Sequence, residues 1–99
     1  YIIKAHLGKN ESACRYGGEE FLVFLDGSNL QDLKERSEAI RSSIEGSETK
    51  IRRNKVNVTV TIGAAFFPQD GLNIDTLIEI SDARLYQGKR SGKNRVVYE

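Results

Sequence analysis

Two adjacent glycines, Gly17 and Gly18, stand between two runs of strand-forming residues, and no other feature constrains the chain as much. Glycine reaches positive φ without a Cβ penalty, so a Gly-Gly pair between β-like runs predicts a tight hairpin. The spacing predicts strands over Ser12 to Tyr16 and Glu20 to Leu25. The run Phe21-Leu22-Val23-Phe24-Leu25 is apolar throughout, which predicts a strand buried on both faces at the centre of a sheet.

The rest of the chain alternates helix and strand. Tyr1 to Leu7 reads as the end of a helix closed near Gly8. Because Tyr1 is not a natural start and already reads as helix, the expectation is that a further segment precedes it. After the turn Asp26-Gly27-Ser28, either Ser28 or Asn29 can cap a helix. In that helix Leu30, Leu33, Ile40 and Ile44 share one face, and it ends near Gly46. Ser47 to Lys55 reads as a polar, basic connection. Val56 to Ile62 alternates apolar and polar residues, which predicts a half-buried strand running to about Phe67, before Pro68. Asn73 to Gln87 is a second amphipathic pattern, with Ile74, Leu77, Ile78, Ser81 and Leu85 inward. Gly88 to Lys93 reads as a basic loop and Asn94 to Tyr98 as a last strand. This order predicts one α/β (α+β) domain over residues 1–99, with helices on a mixed, partly antiparallel sheet.

Composition narrows the class. Ninety-nine residues suit one small domain, and 38% hydrophobic with 29% charged residues is ordinary for a folded globular chain. The net charge of +1 gives no general pull towards nucleic acid or an anionic membrane. A single cysteine, Cys14, excludes an intrachain disulfide. No apolar run is long enough to span a bilayer.

Two places carry chemistry. Glycines at a turn leave the backbone bare, so a phosphate or a base can approach its amides. Two carboxylates, Glu19 and Glu20, follow at once, and strand alternation sends them to opposite sides. One of them could offer oxygen ligands to Mg²⁺. An ordinary turn with two solvated glutamates satisfies the same residues, so the run alone is a weak signal. Near the C-terminus, Arg84, Lys89, Arg90, Lys93 and Arg95 form a cationic stretch broken by glycines, which suits a phosphate. Lys89 and Lys93 share a face if the helix persists that far. Solvated lysines at a helix C-terminus would look the same. His6 lacks neighbouring ligands, Cys14 reads as packing in a strand, and Phe66-Phe67 as the buried end of one.

Taken together, three segments resemble the GGDEF family. Arg15-Tyr16-Gly17-Gly18-Glu19-Glu20-Phe21 matches its signature in the Gly-Gly-Glu-Glu-Phe form. Val58-Thr59-Val60-Thr61-Ile62-Gly63 resembles its "vTvSiG" strand. Ser81-Asp82-Ala83-Arg84-Leu85-Tyr86, followed by Lys89, Gly92, Asn94, Arg95 and Val96, resembles its closing "aDxALYxAKxxGrNrV" segment. The matches occur in order and cover nearly the whole chain.

The resemblance implies a nucleotide-cyclase-like GGDEF fold without its N-terminal part, and the chemistry of a bacterial diguanylate cyclase, a nucleotidyltransferase in second-messenger signalling. Two GTP molecules become cyclic di-GMP, with Mg²⁺ (or Mn²⁺) as cofactor and a homodimer bringing the two nucleotides face to face. Gly17 and Gly18 would lie against the nucleotide. Glu19 would bind metal and act in catalysis, together with the catalytic Glu20. Lys89 and Lys93 would contact the terminal phosphates, although a lysine at the second position lacks the bidentate fork of the more usual arginine. An upstream sensor or receiver domain is expected in the full-length protein. The expected localisation is cytoplasmic, with a membrane anchor in upstream segments left open.

Two departures shape the expectations. The family's upstream half carries a metal-binding aspartate and guanine-reading residues, and nothing here stands in for them, so the fragment itself is expected to be inert. The inhibitory Arg-x-x-Asp motif is degenerate: its arginine is Gly8 and its aspartate is Glu11. A regulatory GGDEF domain that binds GTP or a partner without making product is the nearer rival. A nucleic-acid-binding module is the more distant one, prompted by Lys50-Ile51-Arg52-Arg53-Asn54-Lys55. That run flanks no recognition motif, so no nucleic acid is expected.

Overall fold

The protein is described here by a computed structural model covering residues 6–17, 20–26, 29–51 and 54–99. The elements are β1 Ser12–Gly17, β2 Glu20–Phe24, α1 Leu30–Glu45, β3 Glu48–Ile51, β4 Asn54–Asn57, β5 Ile62–Gly63, α2 Ile74–Arg90 and β6 Val96–Val97. Most of the expected opening helix, Tyr1 to Ala5, lies outside the described residues. No helix among the described residues is long and apolar enough to cross a membrane.

The expected hairpin forms. β1 runs antiparallel to β2 with Ser12 opposite Phe24, Cys14 opposite Leu22 and Arg15 opposite Phe21. Gly17 then pairs with Glu20, so one extra residue sits on the β1 side before the turn. The connection falls on Gly18 and Glu19, outside the described residues. β2 is less buried than its composition suggests: Phe21 is 44% and Phe24 39% exposed. Among the described residues β2 pairs with β1 alone, at the edge of a two-stranded sheet rather than at the centre of a larger one. Cys14 is likewise exposed on β1 rather than packed.

Asn29, not Ser28, caps α1: its Oδ1 accepts from the Asp32 amide at 2.8 Å. Ser37, Ile40 and Ile44 form the buried stripe at helical spacing. Leu30, expected on that face, is 37% exposed because it starts the helix beyond the core. The segment expected as a loop after α1 instead folds back as the antiparallel hairpin β3–β4, with Thr49 opposite Val56. The strand expected from Val56 to Phe67 is split. Its first end pairs with β3 and its second with β6, while Val58 to Thr61 joins neither ladder. Phe67, expected at a buried strand end, is 58% exposed.

The third sheet is the parallel pair β5–β6, joined through α2 as a strand–helix–strand crossover. Ile62 N–H donates to Arg95 O and Ala64 N–H to Val97 O, both at 2.9 Å. Asn73 caps α2 by accepting from the Thr76 amide at 2.9 Å. The helix lies so close to β5 that a Cβ on Gly63 would run into the Ser81 carbonyl and the Leu85 amide, and stand 2.9 Å from Leu85 Cα. Only glycine permits that approach. Of the inward set expected on α2, Leu77, Ile78, Ser81 and Leu85 are half-buried and Ile74 is 52% exposed.

Candidate functional site

The hairpin and the end of α2 meet. Glu20 opens β2, Lys89 lies in the last turn of α2, and Lys89 Nζ stands 3.9 Å from Glu20 Oε1. The two side chains are about half exposed, at 44% and 48%. That separation is too long for a hydrogen bond, and a pair so open to water contributes little stability. Its value lies in placement: a carboxylate and an ammonium, 69 residues apart in the chain, come together at the start of β2. Gly18 and Glu19 fall outside the described residues.

Lys93 does not share a helical face with Lys89. α2 ends at Arg90, and Ser91 caps it, donating from its amide to Gln87 O at 3.0 Å and from Oγ to the same oxygen at 2.8 Å. Gly92, Lys93 and Asn94 then take φ values of 119°, 63° and 48°, turning the chain back into β6. The Lys93 amide donates to Gly88 O at 3.0 Å, which closes this turn on the helix.

The other cations of the stretch have partners within the fold. Arg84 donates to both Asp70 oxygens at 2.8 and 3.0 Å and to Ala64 O at 2.7 Å. Asp70 also accepts from the Phe66 amide, and the Arg84 guanidinium, followed by that amide, holds its carboxyl below the usual carboxylate range. Arg90 lies over the Tyr86 ring at 5.6 Å. Arg95 Nε donates to Lys93 O at 3.1 Å. Sequence reasoning counted Arg84 with the phosphate-facing cations and missed its role. One signal was present: Arg84 follows Leu77 and Ser81 on the inward side of α2, where a guanidinium needs a partner.

Gly8 and Glu11 sit together before β1. Glu11 accepts both guanidinium arms of Arg36, the Gly8 amide at 2.6 Å and the Asp26 amide at 2.7 Å. Its side chain is 5% exposed. The Arg36 bonds, and after them the Gly8 amide, hold its carboxyl at about 2, well below the usual 4.5. Arg36 also donates to His6 O at 3.0 Å. His6 Nε2 lies 3.1 Å from Ser43 Oγ, so the histidine belongs to packing between the first loop and α1. Among the described residues, no three His, Cys, Asp or Glu side chains gather into a metal-holding group.

The family model described as "Diguanylate cyclase, GGDEF domain" matches residues 1–95. The chain belongs to the GGDEF family. It is 36% identical over 95 residues to diguanylate cyclase A of Treponema denticola, which covers 96% of this chain and 26% of that protein. It is 38% identical over 86 residues to the response regulator PleD of Caulobacter vibrioides, covering 85% of this chain and 19% of PleD. This GGDEF chain thus spans about a quarter or less of these curated relatives. The GGDEF domain of DgcB from Caulobacter crescentus, solved in complex with c-di-GMP, superposes with a TM-score of 0.82 at 30% identity, over 98% of this chain and 58% of that one. SiaD from Pseudomonas aeruginosa, solved with its activator SiaC, gives a TM-score of 0.87 at 28% identity, over 99% of this chain and 37% of that one.

Proposed function

We propose that these residues form the C-terminal part of a diguanylate cyclase domain whose full-length protein condenses two GTP molecules into cyclic di-GMP. The observation that carries the reading is the approach of Glu20 to Lys89 across the Gly-Gly hairpin, since it puts a signature carboxylate beside a phosphate-class cation. In each condensation the 3′-oxygen of one GTP bonds to the α-phosphorus of the other. The bond from that phosphorus to the bridging oxygen breaks, and pyrophosphate leaves. Glu19 and Glu20 act at the attacking hydroxyl, taking up its proton, while Gly17 and Gly18 let the backbone lie against the nucleotide. Lys89 and Lys93 neutralise the terminal phosphates, and positioning with charge neutralisation supplies most of the catalysis.

Magnesium is the expected cofactor, but the described residues do not make a site for it. Glu19, its expected ligand, lies outside the described residues, and among the described ones Glu20 faces an ammonium with no second acidic ligand beside it. The chain spans about a quarter of the diguanylate cyclase it resembles, and in this reading the 99-residue segment is inert by itself: the reaction needs the rest of its domain and a second copy facing it. An upstream regulatory domain and a cytoplasmic setting, where GTP is available, complete the reading. The family's inhibitory product site is closed in this chain. Gly8 offers no guanidinium, and both Glu11 oxygens are already committed to Arg36 and two amides.

The test is cyclic di-GMP formation from GTP and Mg²⁺ by the full-length protein and by this segment, side by side. Product from the first and none from the second is expected, with Glu19→Ala abolishing turnover. A folded full-length protein that binds GTP and yields no product would assign a regulatory role instead.

A further inference from the structure

Lys93 emerges from a backbone that L-residues avoid. Gly92, Lys93 and Asn94 all have φ in the left-handed region, at 119°, 63° and 48°. Such a conformation persists only where the surroundings determine it. Here Lys93 is held through its backbone alone, by Gly88 O and Arg95 Nε, while Asn94 is held through its side chain as well. Its amide donates to Thr61 Oγ1 at 3.0 Å, just before β5. Its Oδ1 accepts from Arg41 Nη1 at 2.8 Å, and its Nδ2 donates to Glu45, both on α1. Arg41 is in turn fixed by Glu38, through Nε at 3.0 Å, and by Glu45 at 3.4 Å, and its side chain is only 14% exposed. The neighbouring Lys93 ammonium has no ion pair or side-chain hydrogen bond among the described residues. The residue beside the lysine is thus clamped from two other elements, while the lysine's own charge is left to a ligand.

We infer that Arg41 and Asn94 are positioning residues for the nucleotide: they lock the turn so that Lys93 projects its ammonium from a fixed origin towards the phosphates. This rests on the proposed role of Lys93, and neither residue touches substrate. The clamp supplies in advance the ordering that a flexible turn would have to undergo on binding.

Affinity contrasts in the full-length protein test it, using 3′-deoxy-GTP, which cannot be condensed, and GMP, which lacks the terminal phosphates. Lys93→Ala should weaken 3′-deoxy-GTP binding by about tenfold, as loss of a charge-assisted contact does, and leave GMP unchanged. Asn94→Gly keeps the left-handed φ accessible but removes the clamp. It should reproduce that loss, and combining it with Lys93→Ala should add nothing further. Asn94→Asp should also weaken 3′-deoxy-GTP, because its carboxylate faces Glu45. Adding Glu45→Gln, which restores a donor–acceptor pair, should recover the affinity.

A purely structural clamp would weaken GMP and 3′-deoxy-GTP alike, and the inference would be overturned. Unchanged 3′-deoxy-GTP binding in Asn94→Gly, with Lys93→Ala impaired, would overturn it while sparing the role of Lys93. Unchanged binding in Lys93→Ala would remove both. Product formation by the wild-type protein reports on the cyclase reading separately.

Discussion

The two halves of the candidate site are supported very differently. Glu20 rides on a two-stranded hairpin whose apolar residues Phe21 and Phe24 are about 40% exposed. Lys89 and Lys93 extend from a strand–helix–strand unit in which α2 lies on β5 and β6 so closely that Gly63 cannot carry a side chain. The hairpin is tied down chiefly from one end, where Arg36 on α1 holds Glu11 just before β1. The α2 unit is braced internally by Asp70–Arg84 and tied to α1 by Arg41–Asn94 past the end of its helix. The cationic half is therefore preorganised by the described residues, whereas the carboxylate half has fewer ties among them. A hairpin alone is marginal in water, so the difference follows from strand number as much as from side chains.

The strongest way to break this contrast is through Gly63. A methyl there meets backbone atoms of α2 rather than a flexible side chain, so the helix must shift as a body. Gly63→Ala should cost about 3 kcal/mol in urea unfolding, at the upper end of overpacking penalties. A change below about 1 kcal/mol would mean that α2 is not pinned on β5. Next comes Arg84→Ala, which strands a largely buried Asp70 carboxylate and the Ala64 carbonyl, and should cost about 2 kcal/mol. The matching change Asp70→Asn should cost less, since the amide still accepts from Arg84 and the Phe66 amide.

The hairpin's tether can be read by pH. Glu11 titrates at about 2 in the folded chain against a usual 4.5, chiefly because Arg36 and then the Gly8 amide bond its charged form. A carboxyl with a depressed folded pKa stabilises the fold above its unfolded value and loses that contribution as pH falls towards the folded one. Urea midpoints should therefore fall between about pH 4.5 and pH 2, and Glu11→Gln should flatten that slope. Asp70, Glu38 and Glu45 are lowered chiefly by Arg84, Arg41 and Asn94 respectively, and they contribute slope in the same direction. An unchanged slope in Glu11→Gln would show that the tether does not hold the hairpin.

What the sequence made legible was local. Gly17-Gly18 between apolar runs marked the β1–β2 hairpin, and Asn29 was one of the two residues read as a cap for α1. The β3–β4 hairpin was hidden because its residues are polar, so no period-two apolar face announced it. The alternation from Val56 to Ile62 suggested one strand, but a strand ends where its partner ends, and two different partners divide this run. The ion pairs Glu11–Arg36 and Asp70–Arg84 join residues 25 and 14 positions apart, and such pairing leaves no local pattern. At the site, residue types and order pointed to Glu20 and Lys89, but their approach could come only from the fold. The condition on which Lys89 and Lys93 would share a face is not met: the helix yields to a left-handed turn held by Asn94 from outside it.

The smallest stability effect should belong to the contact that joins the two halves. Lys89 Nζ and Glu20 Oε1 are 3.9 Å apart and half exposed, so Coulomb attraction between them is screened and no hydrogen bond is lost. Lys89→Ala should therefore shift unfolding by no more than about 0.5 kcal/mol. The same substitution in the full-length protein should weaken GTP binding by about tenfold, because a phosphate offers the ammonium a shorter, charge-assisted contact. A large stability loss with unchanged GTP affinity would turn the pair into a strut between hairpin and helix. The pattern expected here, nearly neutral for the fold and costly for the nucleotide, is that of two groups brought together to meet a ligand between them.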